Sequence, residues 1–399
     1  MTILPLLALG FALPSGPVTT VPWNGHTGAV SFTYDDARKS QIPTLIPQLD
    51  AQAIKATFFL TYGAGGDLST NKAAWIQASR NGHELAHHTY DHQSVSAGTT
   101  QIKKMADDLR SFDPGVDAVT FAYPNCSVSG QSTVSAEAFM GRGCGQTTYA
   151  WGNQPSDWMN VQGLILNAGA PGPGVNLINS AKSANAWAIT IVHDVTANPD
   201  QYSLTPADNK KLLDAAIAAG VWIAPYGTVG AYYRAHFSMD AATATKSGSA
   251  WNVQWTSPHP KMPRSVKLRV KLASATFGAD VVVKQGTTTI APESDGSYVV
   301  EFMKLAMTVE PRPVGVRPAS PRSLPTVRGH LTENGIVLRG LDRPMQVLVT
   351  DVGGSTLFRG TVADELLPVP AGQVRGILLV TLVDPVSGTT LRTLVNATR

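Results

Sequence analysis

Four of the nine histidines in this 399-residue chain fall within the eleven-residue run Gly82-His83-Glu84-Leu85-Ala86-His87-His88-Thr89-Tyr90-Asp91-His92. His88 and His92 stand four apart, a spacing that lets both imidazoles meet on one helical face or one turn and hold the same metal ion. A lone histidine is usually structural; a pair at ligand spacing is harder to dismiss. Nearer the N-terminus, Asp35 and Asp36 are adjacent in Thr33-Tyr34-Asp35-Asp36-Ala37. Two neighbouring carboxylates at a strand end project differently, so one can bind metal while the other stays free as a base. Taken alone, the acid pair reads equally well as a solvated turn. Together, Asp36, His88 and His92 form a two-histidine, one-carboxylate set that leaves positions open for water and substrate. The same donors suit iron in an oxygenase, which would require dioxygen and a reductant; the second acid, Asp35, fits hydrolysis better.

The elements that must position these residues alternate. Ala29–Tyr34 reads as a strand ending in the two acids, Ile42–Ala53 has apolar residues at helical spacing, and Ala56–Thr61 is a second strand. Lys72–Ser79 reads as a helix stopped by Asn81-Gly82. A helix over Thr100–Phe112 leads to a strand at Ala118–Tyr123; later come a strand at Trp187–Val192, a helix at Pro206–Ala219 ending on Gly220, and a strand at Val221–Ala224. Such alternation predicts an α/β fold with a parallel sheet or barrel, whose chemistry gathers at the C-terminal ends of strands. From about residue 238 the pattern changes to short alternating runs, Trp251–Gln254, Ser265–Leu272, Asp280–Val283 and Ser297–Met303, the signature of a small β-sandwich. Residues 311–325 are a proline- and arginine-rich linker. Short strands return over 326–399, at Ile336–Leu338, Gln346–Val349, Ile377–Val383 and Thr390–Val395.

The order of Thr-Tyr-Asp-Asp, then Gly-His-Glu-Leu-Ala-His-His-Thr-Tyr-Asp-His, then Phe121-Ala122-Tyr123-Pro124, then Ile191-Val192-His193 resembles the polysaccharide deacetylases of carbohydrate esterase family 4, the NodB-homology group. The likeness spans about Ala29 to Tyr233 and implies a distorted (β/α) barrel, with the two small all-β sandwich-like domains behind it. It also implies a bound divalent metal, zinc first, with cobalt, nickel or manganese as the other ions. By motif, Asp36, His88 and His92 would bind the metal and Asp35 would take a proton from the attacking water. His193 would protonate the leaving group; its alternative is a structural histidine at a strand end. Asn125 and Tyr123 fall at the substrate and oxyanion position of the third motif, and Asp157-Trp158 loosely resembles the fourth, whose acid orients the catalytic histidine. The third motif also departs from the family. Its arginine, two residues before the proline, is Ala122 here, which leaves Asp35 without the usual cationic partner.

Composition sets outer bounds. Apolar residues make 43% and charged residues 15% of the chain, which argues against disorder along its length. A net charge of +3 is too small to indicate nucleic acid, but it is unevenly spread. Residues 1–245 carry 13 basic and 17 acidic side chains (net −4), and residues 246–399 carry 18 and 11 (net +7). The apolar run Met1–Leu13, followed by Pro14, Ser15 and Gly16, resembles a secretion leader over residues 1–20, although no basic residue precedes it. It is too short to span a bilayer, so an exported or surface location is expected rather than an integral membrane protein. In such a compartment Cys126 and Cys144 would pair; two free thiols are the alternative. The last 75 or so residues resemble the sorting or secretion tails of exported bacterial enzymes, which would engage export machinery, and equally a plain carbohydrate-binding or spacer module. The expected partner is an acetylated polysaccharide: chitin, chitooligosaccharide or peptidoglycan first, acetylxylan second. The competing reading is a glycan-binding protein that keeps the barrel without turnover.

Overall fold

The computed structural model describes residues 16–312, apart from 96–98, 113–115 and 118, together with the strands lying between 328 and 396. After a short first strand, β1 (Val18–Thr20), come β2 (Ala29–Asp35), β3 (Thr57–Leu60), β4 (Glu84–His87), β5 (Thr120–Ala122), β6 (Met140–Cys144), β7 (Tyr149–Ala150), β8 (Val161–Ile165), β9 (Ala186–Val192) and β10 (Trp222–Ile223). Strands β2, β3, β4, β5, β6, β8 and β9 lie parallel, each bonded to the next, and β9 returns to pair with β2. They close a seven-stranded barrel. Every residue of β2 and β9 is buried, as expected of strands covered on both faces.

Helices α1 (Ile46–Ala51), α2 (Lys72–Arg80), α3 (Thr99–Phe112), α4 (Gln131–Ser135), α5 (Gly172–Ser183), α6 (Pro206–Ala219) and α7 (Tyr226–Asp240) alternate with these strands. In α3 the buried positions Ile102, Met105, Ala106, Leu109 and Phe112 repeat at three and four residues and turn one face to the core. Helix α6 keeps its expected limits because its ends are chemically marked. The Thr205 side chain accepts from the Asp208 N–H, Pro206 opens the first turn, and Gly220 takes the left-handed conformation that ends it. The helix expected over Ile42–Ala53 is instead a wide π turn at Gln41–Leu45 that continues as α1. Pro43 and Pro47 supply no N–H to a regular ladder there.

Strands β11 (Thr243–Ser247), β12 (Ala250–Gln254), β13 (Lys267–Leu272), β14 (Val281–Gln285), β15 (Thr288–Ile290), β16 (Tyr298–Glu301) and β17 (Ala306–Pro311) form the expected sandwich. One sheet has the order β1-β13-β16 and the other β11-β12-β17-β14-β15. Val253, Leu268, Val270, Val283 and Val300 share a continuous core with Trp187, Tyr226 and Tyr233 of the barrel. The leader expected over 1–20 therefore ends in folded chain. Val18–Thr20 pair with β13, and Thr20 donates from both its N–H and its hydroxyl to Asp240; residues 1–15 lie outside the described residues. The boundary expected after residue 237 cuts through α7.

The chain divides into two compact units, Met1–Pro318 and Ala319–Arg399. In the second, β18 (Arg328–Thr332), β19 (Gly335–Arg339) and β22 (Leu366–Leu367) form one small sheet. Strands β20 (Met345–Asp351), β21 (Thr356–Val362), β23 (Ile377–Val383) and β24 (Thr390–Asn396) form another. The proline-rich segment lies outside the described residues from 313 onward.

Cys126 and Cys144 are disulfide-bonded, which fastens the turn after β5 to the end of β6 across a sequence separation of 18. Closing a loop of that size restricts the unfolded chain by about 3 kcal/mol. Replacing both with serine is expected to lower unfolding free energy by about that amount in denaturant titrations under non-reducing conditions. An unchanged midpoint would show that the bridge contributes nothing to stability.

Candidate active site

Five of the residues singled out in the sequence meet where β2, β4 and β9 end. Asp35 is the last residue of β2, and Asp36 follows with its N–H bonded to the Phe59 carbonyl at 3.0 Å. His88 follows β4, its N–H on the Leu60 carbonyl at 2.9 Å. Its ring Nδ1 lies 2.8 Å from the Ala122 carbonyl. A carbonyl only accepts, so the proton sits on Nδ1 and the Nε2 lone pair is left to bind a metal. That Nε2 is 3.7 Å from Asp36 Oδ1, and His92 Nε2 is 3.4 Å from the same oxygen. One donor atom from each of Asp36, His88 and His92 lies within 4.8 Å of the others. Asp36 Oδ1 is buried without a hydrogen-bond partner, whereas Oδ2 accepts from Arg38 Nε at 3.2 Å. An orphaned, buried carboxylate oxygen facing two imidazole nitrogens fits a divalent cation.

The backbone is bent to achieve this. Asp36, Thr89 and His92 have φ of 74°, 60° and 58°, a region costly for residues with a side chain and concentrated at functional sites. Two of the three candidate metal donors, Asp36 and His92, are thus held in strained conformations. Gly63 and Gly66 lie against the Asp91 and Asp36 carbonyls so closely that a Cβ at either would collide with backbone.

Asp35 has its cation after all. The guanidinium of Arg142, from β6, donates from Nη1 to Asp35 Oδ1 at 2.8 Å and from Nη2 to Oδ2 at 2.6 Å. Nη1 also reaches the Thr33 hydroxyl at 2.9 Å, and the group lies 4.8 Å from the Phe59 ring centroid. The expectation that Ala122 leaves Asp35 unpartnered is corrected by strand register. Ala122 and Arg142 are directly paired residues of the parallel strands β5 and β6, so a cation on β6 reaches the place that one on β5 would. Burial works to raise the Asp35 pKa, but Arg142, then His88 and His193, outweigh it and hold the carboxyl down at about 2.

His193 follows β9, its Nε2 3.9 Å from Asp36 Oδ2 and its ring 5.4 Å from that of the exposed Tyr202. Its N–H bonds to the Tyr202 carbonyl at 2.9 Å. The fully buried Gln41, not singled out in the sequence, ties the ends of β2 and β9 together. Its amide donates to the carbonyls of Asp35 at 2.7 Å and His193 at 2.6 Å. Asp157 is not brought to His193. Its carboxylate accepts from Gln131 at 2.6 Å and from the Met159 N–H at 2.7 Å, and His193 Nδ1 has no partner among the described residues. Tyr123 is buried beside Phe121, and its N–H is used by the Arg142 carbonyl at 3.1 Å. Its backbone N–H is therefore engaged within the sheet, while its hydroxyl is buried without a partner among the described residues. Asn125 is exposed, in a left-handed turn between Pro124 and Cys126.

The polysaccharide deacetylase family model matches residues 24–140 of this chain. A probable peptidoglycan-N-acetylglucosamine deacetylase of Arthroderma benhamiae is 33% identical over 113 residues, 26% of this chain and 26% of that protein. A bifunctional xylanase/deacetylase of Pseudobutyrivibrio xylanivorans is 25% identical over 182 residues, 44% of this chain and 27% of the other. The matches thus span about a quarter of the length of these curated relatives. Among solved structures, the chitin deacetylase of Colletotrichum lindemuthianum aligns at 16% identity and a TM-score of 0.37, covering 54% of this chain and 92% of that one.

Removing one half of a buried ion pair costs more than removing both, because a charge is left desolvated and uncompensated. Arg142→Met is expected to destabilise the protein by about 3–5 kcal/mol. The double variant Arg142→Met/Asp35→Asn should recover much of that loss in denaturant titrations. A double variant as unstable as the single one would show that Arg142 contributes through packing and not through its charge.

Proposed function

With residues 24–140 belonging to the polysaccharide deacetylase family, we propose that this protein hydrolyses acetyl groups from an N-acetylated polysaccharide of the chitin or peptidoglycan type. The observation that carries the reading is the convergence of two histidine Nε2 atoms on the orphaned Oδ1 of Asp36, with the Arg142-paired Asp35 beside it and His193 against Oδ2. Asp36, His88 and His92 would hold the divalent metal, zinc being the first expectation. Bound there, the metal would polarise the acetyl carbonyl and acidify the attacking water.

The remaining work falls to side chains of the chain itself. Asp35 is ionised across the working pH range and accepts the proton of the attacking water. Its bidentate grip by Arg142 fixes the carboxylate in one orientation. The Asn125 backbone N–H, on an exposed turn braced by the Cys126–Cys144 bridge, would face the developing oxyanion. His193, only partly exposed, donates a proton to the departing amine. Gln41 keeps the Asp35 and His193 strand ends at a constant separation, as a proton acceptor and a proton donor working on one bond require. Action on an extracellular polymer agrees with the disulfide. Among the described residues no helix is long and apolar enough to cross a membrane.

Acetate release should be measured on chitooligosaccharides, peptidoglycan and acetylxylan with metal-loaded protein, chelated protein and Asp35→Asn. Release is expected from an N-acetylated substrate. It should vanish on chelation and fall about 10²–10⁴-fold in Asp35→Asn, the contribution of a general base. Release from acetylxylan alone would move the substrate to O-acetylated glycans. Silence across the panel with metal bound at His88 and His92 would overturn the hydrolase reading in favour of glycan binding without turnover.

A further inference from the structure

Helix α7 and the neighbouring strands of the sandwich border a cavity of about 760 Å³ that shares no lining residue with the metal donors. Its size is that of a site for a small ligand. Trp158 and Phe237 give it aromatic faces, Gln154, Gln254 and Thr256 give it an exposed polar rim, and Arg234 gives it a cation. Aromatic faces beside amides and hydroxyls suit a sugar, which presents apolar C–H faces and a hydroxyl edge.

Arg234 is the unusual member. Its Nη1 donates to the Phe139 carbonyl and its Nη2 lies 3.5 Å from the Pro258 carbonyl. Its guanidinium carbon is 5.2 Å from the Trp158 ring centroid, and its Nε is buried without a partner. All these neighbours are neutral. The carboxylate that bears on it from further away, Asp157, is itself taken up by Gln131 and the Met159 N–H. Partial burial lowers the Arg234 pKa to about 10, as expected of a half-buried cation with no close acid. Such groups are normally paired, and no acid lines the cavity. Arg142, the fully buried arginine of the barrel, is by contrast paired bidentately.

We propose that this cavity is a second glycan-binding site that takes a carboxylate-bearing sugar, its ring against Trp158 and Phe237 and its carboxylate on Arg234. A hexuronic acid and a lactyl-substituted amino sugar supply the same chemistry. The choice of a glycan rests on the deacetylase reading; the demand for a carboxylate rests on Arg234. Occupied, the site would tether an anionic polymer to the barrel while the metal centre works on another residue of the chain.

The test is binding, read by ligand-detected NMR on metal-loaded Asp35→Asn protein so that nothing is consumed. Three disaccharides serve as probes: glucuronate–N-acetylglucosamine, N-acetylglucosamine–N-acetylmuramic acid, and neutral di-N-acetylchitobiose. At least one acidic probe is expected to bind at least tenfold more tightly than the neutral one, and the tighter acid names the source. Arg234→Met should abolish that preference. So should Thr256→Trp, which fills the exposed rim and leaves the barrel untouched. Equal binding of acidic and neutral probes, or a preference surviving both substitutions, overturns the proposal. Because the readout is binding, protein that releases no acetate but discriminates through Arg234 upholds this site while overturning the hydrolase. Active protein without discrimination does the reverse.

Discussion

The strand ends keep one carboxylate ionised where water is largely excluded, and the proposed chemistry depends on it. Asp35 is buried, and burial alone would push it toward the neutral acid, useless as a base. The two short bonds from Arg142 reverse that. They also fix the carboxylate in one orientation. The pair thus separates two adjacent, chemically identical residues into the roles proposed for them, a base and a ligand. Asp36 is divided again within its own side chain, one oxygen taken by Arg38 and the other left to the histidines.

Keeping these groups in place draws on the whole barrel. Asp36 and His92 sit in backbone conformations that a free chain avoids, which persist only where the surroundings over-determine them. Hydrogen bonds from Asp36 to Phe59 and from His88 to Leu60 hang both residues from β3. Gly63 and Gly66, in the loop after β3, come close enough to cover the Asp91 and Asp36 carbonyls. Closure of the sheet between β9 and β2 brings His193 alongside, and Gln41 locks that junction. On the other side, β1 and the sandwich pack on α7, so the barrel does not end where the helical pattern does. The Arg234 cavity lies at this same junction.

What the sequence could disclose follows from which forces are local. The limits of α6 were legible because Thr205, Pro206 and Gly220 each write a helix end in residue type. The cluster of Asp36, His88 and His92 was legible because two of its members come from one turn and the third is half of an acid pair. Gln41 was not, since its value lies in meeting two carbonyls that are 6 and 152 residues away. Asp157 misled in the opposite sense: an Asp-Trp pair resembles a motif, but its carboxylate serves its own turn through the Met159 N–H. Tyr123, just after β5, is buried with its hydroxyl unpartnered among the described residues, a placement that its position beside a motif proline does not disclose.

Arg142 shows most sharply why a motif and a site are different things. A motif fixes residues along the chain, but Asp35 needs only a guanidinium at a point in space. In parallel strands, directly paired residues point to the same face, so positions 122 and 142 address that point equally. They cannot both be cationic, since two guanidinium groups side by side in the barrel would repel each other and share one carboxylate. The small, buried Ala122 is therefore the complement of Arg142, and its carbonyl is still needed to orient His88. Read along the chain, Ala122 is a missing motif cation; read across the sheet, it is the space that lets the neighbouring strand supply one. The Cys126–Cys144 bridge joins the turn after β5 to the end of β6, just beyond this pair. It holds fast the register on which the exchange depends.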